Sequence, residues 1–129
     1  MQLQFKNKKD IKLFSAVHPI LIMIVADLYN YAYEKHGINL TITQTVTNAF
    51  IDKKLKRKSP AHSEHRAVDI RTKNVSAFVL QDLLSYINEK EEYKKYHYVS
   101  RSGEKRLAYF HFGTAEHLHV SIHSRFAIK

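Results

Sequence analysis

Apolar residues return every third or fourth position in two stretches of the chain, which is the spacing of one face of an α-helix. The first stretch runs from residue 17 to residue 36 and stops at Gly37, where a left-handed C-terminal cap belongs. The second runs to about residue 91, and Asn74 or Ser76 can cap its start. We therefore predict two long amphipathic helices.

Elsewhere, apolar and polar residues alternate, which is typical of strands with one buried face. This alternation predicts strands at 39–46, 67–72, 96–100, 106–112 and 117–123. The turn residues at 101–105 join the third and fourth of these strands as a hairpin. A short helix is expected at about 48–55, and residues 1–14 are expected to form an edge strand or a loose arm.

The order of these elements predicts an α+β fold. It is helix, strand, loop, strand, helix and then three strands, which gives a mainly antiparallel sheet with two helices packed on one side. Alternation turns Val68 and Val120 towards the core and places Asp69 and His119 on the opposite, exposed strand faces. Residues 1–129 are expected to form a single domain, because a chain of this length can bury a sizeable core.

Composition narrows the chemistry that is open to the chain. There is no cysteine, which excludes disulfides, thiolate zinc ligands and cysteine nucleophiles, whereas nine histidines are available. The net charge of +9 favours an anionic partner, such as nucleic acid, phospholipid headgroups or an acidic cell-wall polymer. The N-terminus lacks the apolar run of a secretory signal, and the stretch 19–26 is shorter than the ~20 residues of a membrane span. We expect a protein made in the cytoplasm, with no signal peptide and no membrane span.

Three residues on separate elements form a candidate metal site. His62 lies on a predicted loop, and Asp69 and His119 lie on predicted strands, so that they can converge if those strands are neighbours. Three protein ligands and one position open to water are typical of catalytic zinc. Glu116 stands three residues before His119, where a carboxylate that is not itself a ligand can act as a general base.

The same residues carry a family resemblance. The zinc D-Ala-D-Ala carboxypeptidase and L-alanyl-D-glutamate endopeptidase family, which includes small phage endolysins, shows His-x-x-Gly-x-Ala-x-Asp followed by Glu-x-x-His or Asp-x-x-His. This chain resembles that pattern with His62, Ala67 and Asp69 in register, followed by Glu116 and His119. The likeness extends to the layout of the elements between about residues 17 and 122.

The resemblance implies a fold like that of hedgehog and the D,D-peptidases. It implies zinc bound by His62, Asp69 and His119, with Glu116 as the catalytic base. It also implies that the substrate is a peptidoglycan stem peptide, of which one amide bond is hydrolysed. The site of action would then be the cell wall, reached after phage-mediated release, and the basic surface would adsorb to anionic wall polymers.

The chain departs from the family pattern at two places that concern substrate. His65 replaces the glycine of the first motif, and the segment 44–48 lacks the arginine that the family often places after the first central strand. Arg66, His65 and His117 are the candidate substrate-binding residues. Further cations that could replace the arginine are Lys53, Lys54 and Arg57.

Two other functions are compatible with parts of the sequence. The strand motif His117-Leu118-His119 also occurs in metal-dependent single-strand DNA nucleases of the His-hydrophobic-His type, which use a tyrosine nucleophile. No tyrosine follows His119, and this alternative leaves His62 and Asp69 unexplained, which argues against nucleic acid as the partner. The other alternative is a non-catalytic, zinc-stabilised module that binds the wall or serves as a phage structural component.

Overall fold

The computed structural model describes residues 3–47, 49–56, 60–111 and 116–128. Within these ranges the strands are β1 (Gln4–Phe5), β2 (Thr41–Gln44), β3 (Ala67–Arg71), β4 (Tyr98–Val99), β5 (Lys105–Arg106), β6 (Ala108–His111) and β7 (His117–Ser121). The α-helices are α1 (Lys8–Leu13), α2 (Pro19–His36), α3 (Ala49–Lys54) and α4 (Ala77–Glu89).

Five strands form one mixed sheet in the order β1, β2, β3, β7 and β6. The strands β1 and β2 pair in parallel, and the other three pairings are antiparallel. The predicted α+β class with a mainly antiparallel sheet is therefore confirmed. Because β3 and β7 are neighbours, the strands that carry Asp69 and His119 lie side by side.

Each long helix has one end at a residue suited to that position, which is the start of α4 and the end of α2. The Oγ atom of Ser76 accepts a hydrogen bond from the backbone N–H of Val79 at 3.2 Å, so Ser76 is the N-cap of α4. At the end of α2, Gly37 adopts the left-handed conformation, with φ of 67°. Glycine suits this position because it has no Cβ to clash.

One core joins the two long helices to one face of the sheet. The residues at its centre are buried aliphatic side chains, which belong to α2, α4 and the three central strands. They include Leu21, Ile24, Val25, Leu28, Ile42, Val68, Ile70, Leu83, Ile87, Leu118 and Val120. Val68 and Ile70 alternate with Asp69, so burial of the apolar face leaves the other face of β3 for chemistry.

The predicted hairpin differs from the observed one. Residues 105–106 pair with 98–99 in a separate two-stranded sheet, whereas residues 108–111 pair with β7 in the main sheet. The change occurs at Leu107, which is fully buried. There Asn88 of α4 accepts hydrogen bonds through Oδ1 from the N–H groups of Leu107 and Ala108. A side chain from a distant helix thus divides what the local pattern presents as one strand.

The N-terminal segment is more ordered than a loose arm. Its first strand, β1, is an edge strand, which confirms one of the two expectations for this segment. The helix α1, which follows β1, was not predicted. The predicted residues Asn48 and Phe112 lie outside the described ranges. In the part of the chain that the structure describes, no helix has the length and apolar character needed to cross a membrane.

Candidate metal centre

A row of polar and aromatic side chains crosses the sheet on the face opposite the core. Gln44 of β2 pairs with Asp69 of β3, Asp69 pairs with His119 of β7, and His119 pairs with Tyr109 of β6. Side chains of paired residues project to the same face of a sheet. The register therefore brings the two predicted strand ligands together.

His62 completes a triad with these two residues. Its Nε2 lies 3.1 Å from Oδ1 of Asp69, and Nδ1 of His119 lies 3.0 Å from the same oxygen. One donor atom from each of the three residues lies within 4.8 Å of the other two. The structure thus brings together the three residues predicted as metal ligands, and this group could hold a metal ion.

The triad is buried, which the alternation of the strands did not predict. His62 is 2% and Asp69 is 4% exposed, and the side chain of His119 is 13% exposed. The loop that carries His62 turns back on itself, with the N–H of Arg66 donating to the carbonyl of Ala61 at 3.0 Å. Both Ala61 and His62 are buried, so this loop folds against the sheet. A strand residue on the polar face of the sheet is therefore not always exposed to water.

The protonation states of Asp69 and His119 suit a cation. Burial acts to raise the pKa of Asp69, but the contacts of its carboxylate with His119 and His62 outweigh burial and hold that pKa far below its usual range. Burial lowers the pKa of His119, because it disfavours the imidazolium form more than Asp69 favours it. An ionised carboxylate and a neutral imidazole are the forms in which these side chains bind metals.

A second layer of hydrogen bonds fixes the orientation of His62. Its Nδ1–H donates to the backbone carbonyl of Thr45 at 2.7 Å, which leaves Nε2 directed at Asp69. Thr45 in turn donates from its N–H at 3.1 Å and from Oγ1 at 2.6 Å to Oδ1 of Asp10. Both Asp10 and Thr45 are buried. Partners of this kind hold a ligating histidine in one tautomer and one direction.

Sequence reasoning missed Asp10 and Thr45. Asp10 belongs to α1, a six-residue helix in a segment whose pattern predicts no helix. Thr45 follows a strand whose threonines look alike in the sequence. A single aspartate in a lysine-rich segment is the only signal that the sequence offers, and nothing local connects it to His62.

Glu116, the predicted base, lies directly before β7 and is exposed. It stands outside the triad, and it makes no hydrogen bond or ion pair with any described residue. Its carboxylate is therefore accessible beside the strand that carries His119. Its catalytic role stays a prediction.

Two of the predicted substrate-binding residues hold the His62 loop. Arg66 is buried, and it donates from Nε to Oε1 of Glu64 at 2.8 Å and from Nη1 to the carbonyl of Ile122 at 3.1 Å. His65 has a left-handed backbone, with φ of 61°, and its Nδ1–H donates to the carbonyl of Ala16 at 2.8 Å. Contact of either residue with substrate stays a prediction.

The third candidate, His117, lies at the edge of the triad. Its Nε2 is 3.6 Å from Oδ1 of Asp69, and its ring stacks on that of His111 at a centroid distance of 4.9 Å. On the next pair of the same strands, the ring of Tyr109 lies 5.1 Å from that of His119. Burial and the negative charge of Asp69 raise the pKa of Tyr109, so its phenol is a neutral hydrogen-bond donor. These rings extend the polar face towards β6.

No family model, no curated protein and no solved structure matches this chain. The donor set itself is two imidazole nitrogens and one carboxylate oxygen. This set, with three protein ligands, fits a zinc ion that keeps a coordination position open.

Proposed function

We propose that this chain is a zinc-dependent peptidase that hydrolyses an amide bond in peptidoglycan stem peptides, as a D-Ala-D-Ala carboxypeptidase or an L-Ala-D-Glu endopeptidase. The observation that carries the proposal is the convergence of His62, Asp69 and His119 from a loop and two strands. The oriented Nε2 of His62 supports it further, because it directs a lone pair into the triad.

In this proposal each residue has one task. His62, Asp69 and His119 would hold zinc. The zinc would lower the pKa of a bound water towards neutrality and would polarise the scissile carbonyl. Glu116 accepts the proton of the water that adds to the carbonyl carbon. It then delivers this proton to the amine nitrogen as the C–N bond breaks.

The resemblance and the charge of the chain support the wall as the substrate. The motifs that contain His62 and His119 match those of the peptidoglycan-cleaving family in order and spacing. A net charge of +9 favours adsorption to anionic wall polymers. We place the action of the protein at the cell wall, after release from the cytoplasm by a phage-mediated lesion.

Digestion of purified sacculi tests the proposal. We expect one zinc per chain and new free amino groups, with mass spectrometry of the muropeptides identifying the bond. The variant Glu116→Gln should keep its zinc and lose activity by a factor of about 10² to 10⁴. Glu92→Gln removes the charge of another exposed glutamate and should cleave like the wild type.

Two results would refute the proposal. One is the absence of stoichiometric zinc binding at neutral pH. The other is a protein that pellets with the sacculi and releases no amino groups, which is the behaviour of a non-catalytic module. Nicking of single-stranded DNA would instead support the nuclease alternative, which gives no role to the contact between His62 and Asp69.

A further inference from the structure

Arg71 is an exposed cation beside the candidate metal centre. It follows Asp69 by two residues in β3, so both side chains project from the same face of the sheet. Two residues along a strand span about 6.6 Å. Arg71 is exposed and makes no hydrogen bond or ion pair with any described residue.

Other arginines near the site are engaged by protein groups. Arg66 is bound by Glu64 and by a backbone carbonyl. Arg106 donates to the hydroxyl of Tyr98 and to Glu104. Of the further cations considered as substrate binders, Lys53 and Lys54 are exposed at the end of α3, and Arg57 lies outside the described residues. Arg71 therefore differs from these arginines, because its guanidinium has no partner among the residues that the structure describes.

The surroundings of Arg71 place this guanidinium next to the triad. Arg71 pairs across the strands with His117, whose Nε2 lies 3.6 Å from Oδ1 of Asp69. His111 pairs with His117 on the following strand, so one row of the sheet holds a cation and two imidazoles. This row lies directly beside the row that contains Asp69 and His119.

A planar guanidinium with free N–H groups matches a carboxylate through two parallel hydrogen bonds. Neighbouring residues of an extended peptide are about 3.8 Å apart. A carboxylate one residue from the scissile carbonyl would thus reach Arg71 while that carbonyl lies at the triad.

We propose that Arg71, flanked by His117 and His111, is a carboxylate subsite of this enzyme. The inference rests on the proposed peptidase function and narrows its substrate class. The substrate has a free carboxylate on the residue next to the scissile amide, on the leaving-group side. Two sources fit this chemistry: the C-terminal carboxylate of a terminal D-Ala, and the α-carboxylate of a D-Glu residue.

Matched peptide pairs test the subsite and separate the two sources. One pair is diacetyl-L-Lys-D-Ala-D-Ala and its C-terminal carboxamide, and the other is acetyl-L-Ala-D-Glu and acetyl-L-Ala-D-isoglutamine. The wild type should prefer the carboxylate member of one pair by about 10- to 100-fold in kcat/KM. In Arg71→Gln this preference should fall to less than about threefold, through loss of activity towards the carboxylate member, and zinc should be retained. Arg71→Lys should restore part of the preference, because lysine keeps the positive charge but lacks the two parallel N–H donors of the guanidinium.

Binding of a carboxylate ligand can be measured independently of peptidase activity. N-acetyl-D-alanine and its amide are titrated into the zinc-loaded protein and followed by NMR shifts of the backbone amides. Arg71→Gln should weaken binding of the acid alone, and the control Arg101→Gln, which removes an exposed charge in the turn after β4, should bind like the wild type. Arg71-dependent binding without any hydrolysis would uphold the subsite and refute the peptidase.

Three results would overturn the subsite while the peptidase stands. The first is equal cleavage of acid and amide by the wild type. The second is an equal loss of both activities in Arg71→Gln, which would show that Arg71 does not recognise the carboxylate. The third is binding of inorganic phosphate as tightly as the acid, which would make the patch a general anion site.

Discussion

At the scale of single residues, the candidate metal centre depends on side chains that do not touch the metal position. His62 keeps its direction through Thr45, and Thr45 is held by Asp10. The second oxygen of Asp10, Oδ2, is buried and accepts no hydrogen bond from any described residue. A buried carboxylate is costly unless its hydrogen bonds compensate for lost hydration. The position of Asp10 is therefore better explained by its two bonds to Thr45 than by solvation.

Removal of Asp10 should weaken zinc binding. In Asp10→Ala the N–H and hydroxyl of Thr45 lose their acceptor, so the Thr45 carbonyl no longer holds Nδ1 of His62 in one direction. We expect zinc affinity to fall by about 10- to 100-fold, measured by competition with a chelator of known affinity. Asp10→Asn keeps one acceptor oxygen and should recover part of the loss.

The control for this prediction is Asp82→Asn, which removes a carboxylate of α4 that bonds to Tyr31 and His36, and it should leave zinc affinity unchanged. The ¹⁵N shifts of the His62 ring give a second readout, because they report the tautomer. If Asp10→Ala lowers stability but binds zinc as tightly as the wild type, Asp10 is merely structural.

At the scale of elements, hydrogen bonds to Asp27 fix how α2 and α4 lie against each other. Asp27 of α2 accepts hydrogen bonds from Nζ of Lys90 at 2.6 Å, from Tyr93 at 2.6 Å and from Tyr86 at 2.7 Å. Burial acts to raise the pKa of Asp27, but these three donors together lower it. The helices themselves were predictable from the spacing of their apolar residues. The hydrogen bonds to Asp27 were not predictable, because Asp27 and its donors are about 60 positions apart in sequence.

Asp27→Asn should destabilise the fold. The charge that strengthens three hydrogen bonds is lost, and the expected cost is about 1 to 2 kcal/mol in the free energy of unfolding at pH 7, since the group is partly exposed. Urea denaturation measures it. Glu89→Gln, at an exposed glutamate of α4, should change stability by less than about 0.5 kcal/mol.

The difference between wild type and Asp27→Asn should depend on pH with a defined sign. Because the folded pKa of Asp27 is lowered from its usual value of 3.8, its contribution is present above about pH 4 and is lost as the pH falls below it. Asp82, whose pKa is lowered to about 2 by His36 and Tyr31, should lose its contribution over the same acidic range. A difference that grows as the pH falls from 5 to 3 would contradict this account.

At the scale of the whole molecule, the sheet order is what makes the site. Alternation predicted which residues share a face of β3 and of β7, but it could not predict that these strands are neighbours. Strand pairing depends on contacts across more than 40 residues, which no local pattern contains. The local pattern also could not predict the break between β5 and β6 at Leu107, because the side chain that binds there belongs to Asn88 of α4. The site was predictable through its motif and not through its fold.

Zinc should stabilise the entire chain, because its ligands come from a loop and two central strands. At a free zinc concentration about 1,000-fold above Kd, the gain is about 4 kcal/mol, which corresponds to a rise in Tm of about 15 °C. Differential scanning calorimetry with and without zinc measures this rise. Asp69→Asn should abolish it, and magnesium, which prefers an all-oxygen shell, should produce a much smaller one. A zinc-independent Tm would mean that the triad binds no metal.

The backbone of His65 has a consequence for substitution at this position. Residue 65 has φ of 61°, in the left-handed region, and this chain places histidine there. Asparagine, aspartate and histidine adopt this conformation more readily than most residues. The turn that brings His62 to the sheet therefore accepts few residue types at position 65. This position is constrained by the backbone torsion as well as by the contact of the side chain with the carbonyl of Ala16.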